Sequence, residues 1–204
     1  MPLFRSKAEA KVREAGYDPA RLPPGQYFTE KWPVLHAGQV PKVDIATWTL
    51  RIWGEVENEV TLTYDELRAL PATAVTTDIH CVTRWSRFDA HFTGVQWRDL
   101  AALCKPKPSA RFVIAHAEHG FTANSPLPAI ADDDKSLVVY DADGGPLTPD
   151  HGWPARLFVP SKYFWKSAKW LTGLELTASD HLGFWERYGY HNDADYWKEE
   201  RYSF

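Results

Sequence analysis

The chain is poor in cysteine, nearly balanced in charge and free of long apolar runs, and each shortage excludes a class of protein. Two cysteines, Cys81 and Cys104, do not make a disulfide framework, so a reducing, cytoplasmic location is expected. No apolar stretch approaches the roughly 18 residues that cross a bilayer, so no membrane span is expected. The N-terminus, Met1 to Lys7, lacks the apolar core of a secretory signal, and no twin-arginine signal is present. A net charge of -4 speaks against nucleic acid as the main partner. No glycine loop of the Walker or dinucleotide type occurs. No internal repeat, low-complexity linker or βαβ rhythm is found either.

What remains is the composition of a folded domain. The 204 residues are 44% hydrophobic and 25% charged, enough for one sizeable core. The expected organisation is a short lead-in over residues 1–21 and one domain over 22–204. The aromatic load is heavy, with ten Trp, nine Tyr and ten Phe. Large rigid rings suit a core, and they also suit walls around a flat cofactor.

Along the chain, residues 5–20 read as a polar helical or frayed segment ended by Leu22-Pro-Pro-Gly25. An extended arm follows, Gln26 to Leu35, which prolines keep out of a sheet interior. Trp48 to Gly54 alternates with period two and predicts a strand. Thr63 to Leu70 predicts a short helix with Thr63 as cap and Glu66 completing a capping box. Further strands are predicted at 74–80, 111–116, 137–140, 156–160 and 170–176, with a helix at 98–104 and a tight turn at 141–146. Cys104, at the end of that helix, reads as a packing residue. Many short strands with scattered short helices predict an α+β fold with a mixed or barrel-like β core. The tail, Gly183 to Lys198, is too aromatic to be left in water and is expected to pack back over the domain or a partner.

The chemistry points to Asp78-Ile-His-Cys-Val-Thr-Arg-Trp-Ser86. Cys81 stands at the end of a strand, flanked by His80, Arg84 and Arg87, whose charge would favour a thiolate. Read locally, it is either that or a small buried packing residue. A zinc site lacks the usual C-x₂₋₄-C or H-x₃₋₅-H spacing, and His80 and Cys81 point to opposite faces of a strand. A cysteine hydrolase would need His116, His119, His151 or His181 as base, and nothing in the sequence selects one. The second stretch is His151-Gly-Trp-Pro-Ala-Arg156 followed by Lys162-Tyr-Phe-Trp-Lys-Ser-Ala-Lys169. Arg156 offers a planar fork suited to phosphate, with Lys166 and Lys169 as point charges and amides near Ser167 as further donors. Its bland counterpart is a solvated basic surface.

Leu22-Pro-Pro-Gly25, His80 to Ser86, Phe92-Thr-Gly94, His151 to Pro160, Tyr163 to Trp170 and Gly183 to His191 occur in an order that resembles one family. It is the molybdopterin domain of sulfite oxidases and bacterial methionine-sulfoxide reductases, and within it the short stand-alone "sulfite oxidase-like" branch. The resemblance covers residues 22–202. It implies that Cys81 ligates molybdenum, that His151 contacts the pterin and that Arg156 holds its phosphate. It also implies that Lys166, Ser167, Ala168 and Lys169 wrap the phosphate end, and that Thr29, Glu30, Lys31 and Trp32 lie along the cofactor. The arm departs from the Asn-rich run of relatives, and Phe92 replaces a frequent tryptophan. His80 is expected beside the cofactor, with Arg84, Arg87 and Tyr163 facing the substrate.

The implied activity is oxygen-atom transfer to or from a small sulfur-containing or similar oxide substrate. Nothing resembles a haem domain, so no haem and a separate electron-transfer partner are expected. The alternative is a non-catalytic protein that stores or hands on molybdopterin, which would keep His151, Arg156 and Lys169 without needing Cys81.

Overall fold

The computed structural model describes residues 2–203. An amphipathic helix α1 (Pro2–Glu14) leads into strands β1 (Tyr27–Phe28), β2 (Thr49–Gly54) and β3 (Val60–Thr63). Helix α2 (Tyr64–Ala69), strands β4 (Ala72–His80) and β5 (Trp85–Gln96) and helix α3 (Trp97–Cys104) follow. Next come β6 (Phe112–Ala117), β7 (Thr122–Pro126), helix α4 (Pro128–Ala131), β8 (Leu137–Ala142) and β9 (Gly145–Pro146). The chain closes with β10 (Arg156–Phe158), β11 (Leu171–Thr177) and helix α5 (Phe184–Arg187).

The strands form two mixed sheets. One has the order β3-β2-β11-β6-β7; in the other, β5 pairs with β1, β4 and β8, and β8 with β10 and β9. The parallel pairs are β1 with β5 and β11 with β2. One apolar cluster joins the sheets: Leu50 and Ile52, Val113 and Ala115, and Leu171 and Leu174 from one pack with Val95, Val138 and Leu157 from the other. Trp97 and Leu100 of α3 complete it. This is the predicted α+β fold in its mixed form.

Local chemistry explains most element boundaries. Thr63 accepts from Glu66 N while Glu66 receives the Thr63 amide, so α2 starts on a full capping box. Asp143 (φ 51°) and Gly144 (φ 88°) both turn left-handed and tie β8 to β9 as a hairpin. Among the elements that escaped sequence reading, two are long enough to matter for the sheets. Strand β5 runs back to Trp85, but Asp89 at φ 50° and register shifts in its pairings break the alternation that would betray it. Strand β7, Thr-Ala-Asn-Ser-Pro, is polar in composition and stands at the edge of its sheet, where β6 pairs with it throughout.

Both chain ends pack down. Val12 of α1 is buried against Leu22 and Phe88. Arg21 forks onto Asp78 at 2.6 Å and Asp89 at 2.6 Å, pinning the lead-in to the β4–β5 hairpin. The tail after β11 folds over the first sheet, as its aromatic content predicted.

Candidate active site

The β4–β5 hairpin presents Cys81 at its tip. His80 pairs with Ser86 across the strands, and the Cys81 amide donates to the Trp85 carbonyl at 2.9 Å. The Arg84 amide donates back to the Cys81 carbonyl at 2.9 Å, which Arg84 achieves at φ 78°. The turn is fastened from both ends of the chain. Gln26 Nε2 donates to the Cys81 carbonyl at 3.0 Å, and Arg201 Nη1 donates to the Val82 carbonyl at 2.7 Å.

Cys81 lines a cavity of about 490 Å³. Trp32, Pro33, Leu35 and His36 from the arm form one side, with His151, Arg156, Ser167, Ala168 and Lys169 from the second stretch. Trp85, Trp165, Trp185, Phe184 and Tyr190 form an aromatic wall, and Glu118, His119 and Phe121 reach it from the β6–β7 turn. Trp32 stacks on His151 at 3.9 Å with the planes 12° apart, inside this space.

The second stretch holds two cations that have no carboxylate partner. Arg156 is 2% exposed, with Nη1 donating to the His151 carbonyl at 3.0 Å and Nη2 to the Ser167 carbonyl at 2.7 Å. Its Nε is buried with no hydrogen-bond partner among the described residues. Burial without a carboxylate partner pushes the guanidinium down to about 9. Lys169 Nζ likewise meets only carbonyls, Leu35 at 2.8 Å and Asp150 at 2.9 Å. Burial, then the nearby Arg156 charge, lowers its ammonium to about 7. Gly152 (φ 110°) lets the two segments meet, because a Cβ there would stand 3.0 Å from Lys169 Cβ. A buried and a half-buried cation, an orphaned donor and a flat ring-lined space fit a planar cofactor with a phosphate tail. A soft sulfur on the same wall suits a metal carried by that cofactor.

Other predicted residues lie elsewhere. Lys166 is buried in an ion pair with Glu186 at 2.6 Å and donates to Asn124 Oδ1 at 2.9 Å, so its charge is spent inside the fold. His80 faces the opposite side of the strand, contacts Ser86 Oγ at 2.8 Å and Tyr196, and lines a second cavity of about 650 Å³. Thr29 accepts from the Lys31 amide, and neither residue is on the cavity wall. Arg84 is exposed; Arg87 pairs with Asp143 at 2.8 Å and lies 5.5 Å from the Trp32 ring centre. Tyr163 is fully buried behind the Cys81 turn, its ring 4.9 Å from the Arg201 guanidinium. The thiolate expected from flanking charges is not favoured in the cofactor-free fold. Burial raises the Cys81 thiol, and the Thr83 hydroxyl at 3.2 Å, the Thr83 and Val82 amides and the Arg201 charge counter it only in part.

Sequence reasoning missed Pro33, Leu35 to Gly38, Glu118 and Phe121 on the cavity wall and Arg201 on the Cys81 turn, and named His119, also on the wall, only as a candidate base. No three His, Cys, Asp or Glu side chains among the described residues gather as a metal site, so the zinc alternative has no ligand set. His116, one of the hydrolase candidates, is committed to Glu175 at 2.8 Å.

Residues 37–185 match the family model described as oxidoreductase molybdopterin binding domain. The chain is similar to the Bacillus subtilis oxidoreductase YuiH, with 45% identity over 90% of this chain and 92% of that one. It is 30% identical to the candidate protein-methionine-sulfoxide reductase subunit YedZ1 of Azospira oryzae, over 74% of this chain and 57% of that one. The fold resembles the crystal structure of the sulfane dehydrogenase SoxCD from Paracoccus pantotrophus. That match has a TM-score of 0.66 at 21% identity and covers 76% of this chain and 43% of that one. The chain belongs to the oxidoreductase molybdopterin-binding domain family and is a sulfite oxidase-like molybdopterin oxidoreductase.

Proposed function

We propose that the protein transfers an oxygen atom to or from a small sulfur-containing or similar oxide substrate, with Cys81 as the protein ligand to molybdenum and an external carrier for the electrons. The observation that carries this is one cavity wall holding both the Cys81 sulfur and the orphaned Arg156 donor. When bound, the molybdenum centre supplies the two-electron redox change and the oxygen transfer, and the protein supplies orientation and charge.

Arg156 Nε has a free donor for a phosphate oxygen, and Lys169 adds charge beside it. Both cations gain a counterion on binding, which offsets the burial penalty that lowers their pKa values. Ser167 and Ala168 line the same end, and Trp32 and His151 present ring faces to a flat pterin. The fastened turn holds Cys81 Sγ in one place, so ligand geometry is set before the metal arrives. Arg84 and Tyr163, behind that turn, act on its position and charge. Arg87 acts on Trp32.

The test is metal and pterin analysis of purified protein beside Cys81→Ser. The expected outcome is bound pterin in both and loss of all dye-linked turnover in the variant. Unchanged turnover would remove Cys81 from the chemistry. Pterin without turnover in either protein would favour a carrier.

A further inference from the structure

Resting on that cofactor reading, we infer that the cavity beside Cys81 takes a neutral oxide bearing a flat aromatic group, such as an aryl sulfoxide, and rejects oxyanions. The cations on the cavity wall, Arg156 and Lys169, are those committed to the phosphate end. None of the three arginines nearest Cys81 lines the cavity: Arg84 is exposed, Arg87 pairs with Asp143, and Arg201 turns Nη1 and Nη2 to the Val82 and Pro24 carbonyls.

What does face this end is aromatic. Trp165 meets Tyr190 edge-on at 5.1 Å, and Tyr190 meets Trp185 at 5.0 Å, all three on the wall. Glu118 adds a carboxylate at the same cavity. An oxyanion entering here would lose hydration without gaining a paired cation from the wall. A neutral sulfoxide loses less on desolvation, and its aryl ring gains area and edge-to-face contact from the indoles. The wall is fixed from behind: Trp165 Nε1 donates to Glu186 Oε1 at 2.8 Å, and Glu186 is locked by Lys166. The buried ion pair thereby sets the plane of the ring that the substrate meets.

In the reaction, the sulfoxide S–O bond breaks, sulfur is reduced by two electrons, and the oxygen leaves as water with two protons. The electrons come from the external carrier protein, or from a reduced viologen dye in its place.

Two measurements on molybdenum-loaded protein test this. Methyl phenyl sulfone, which is redox-inert here, should quench tryptophan fluorescence on binding, whereas sulfate should not. Trp185→Leu should weaken sulfone binding at least about tenfold and Trp185→Phe much less. With one viologen donor, kcat/KM should fall from methyl phenyl sulfoxide to dimethyl sulfoxide to nitrate, each step by about tenfold or more. Tighter sulfate than sulfone binding, or nitrate turnover above sulfoxide turnover, overturns the inference while leaving the cofactor reading intact. Protein that takes up no molybdenum or pterin overturns both. If Trp185→Leu does not fold, equal turnover of the aryl and dimethyl sulfoxides in the parent protein is enough to overturn the aromatic preference.

Discussion

Arg201 Nη1 donates to the Val82 carbonyl at 2.7 Å, joining the last residues of the chain to the one that follows Cys81, 119 positions away. The same guanidinium reaches Pro24 of the N-terminal arm at 3.3 Å. Arg201→Ala is expected to lower stability by about 2 kcal/mol, because two buried carbonyls lose their donor. It should also lower molybdenum retention, because the Cys81 turn loses its fastening. Urea unfolding and metal analysis measure the two effects, and Arg201→Lys should restore only part of each.

The Lys166–Glu186 pair at 2.6 Å has both side chains almost wholly buried. Removing one partner strands the other charge, so Lys166→Met should cost about 3–5 kcal/mol. Adding Glu186→Gln should recover most of that loss, because the amide still accepts from the Trp165 indole. Equal denaturation midpoints for the single and double variants would show that the pair does not act as a unit.

Arg156 gives the opposite expectation. Burial disfavours its charge, which offsets part of the cost of leaving the His151 and Ser167 carbonyls without a donor, so Arg156→Met should lower stability by only about 1–2 kcal/mol. Pterin content should nevertheless fall at least about tenfold, as a phosphate loses its forked donor. A large loss of stability with normal pterin content would make Arg156 a structural residue only.

Burial drops His80 from its ordinary 6.5 to about 4, with the Arg21 charge adding to the effect and Asp78 opposing it. Burial, then Arg156 and Lys169, does the same to His151, again to about 4. Below pH 6.5 the unfolded chain therefore binds protons that the folded chain refuses. The stability from these groups is complete above pH 6.5 and is lost as pH falls towards about 4. His80 contributes a slope of up to about 1.4 kcal/mol per pH unit, and the half-exposed His151 less because solvent screens it. Urea unfolding of His80→Asn across that window should show a shallower decline than the parent protein. An unchanged slope would mean that His80 is protonated in the fold.

Much of this molecule was legible in its sequence because its signals are local. The capping box at Thr63 and Glu66, the Asp143-Gly144 turn and the alternation of Trp48 to Gly54 depend on neighbours within a few residues. The Cys81 turn and the His151 to Lys169 stretch also stood out, and the fold places Cys81, His151, Arg156, Ser167, Ala168 and Lys169 on one cavity wall.

Residue types and spacing alone determined an α+β chain with one chemically distinctive cysteine and one basic segment interleaved with aromatic rings. Only the tertiary structure decided which charges are available. Lys166 and Lys169 are three residues apart and read alike, yet Lys166 meets Glu186, from the distant tail, while Lys169 meets only carbonyls. The physical reason is that a buried charge takes its character from the groups packed against it, and those groups arrive from segments far along the chain.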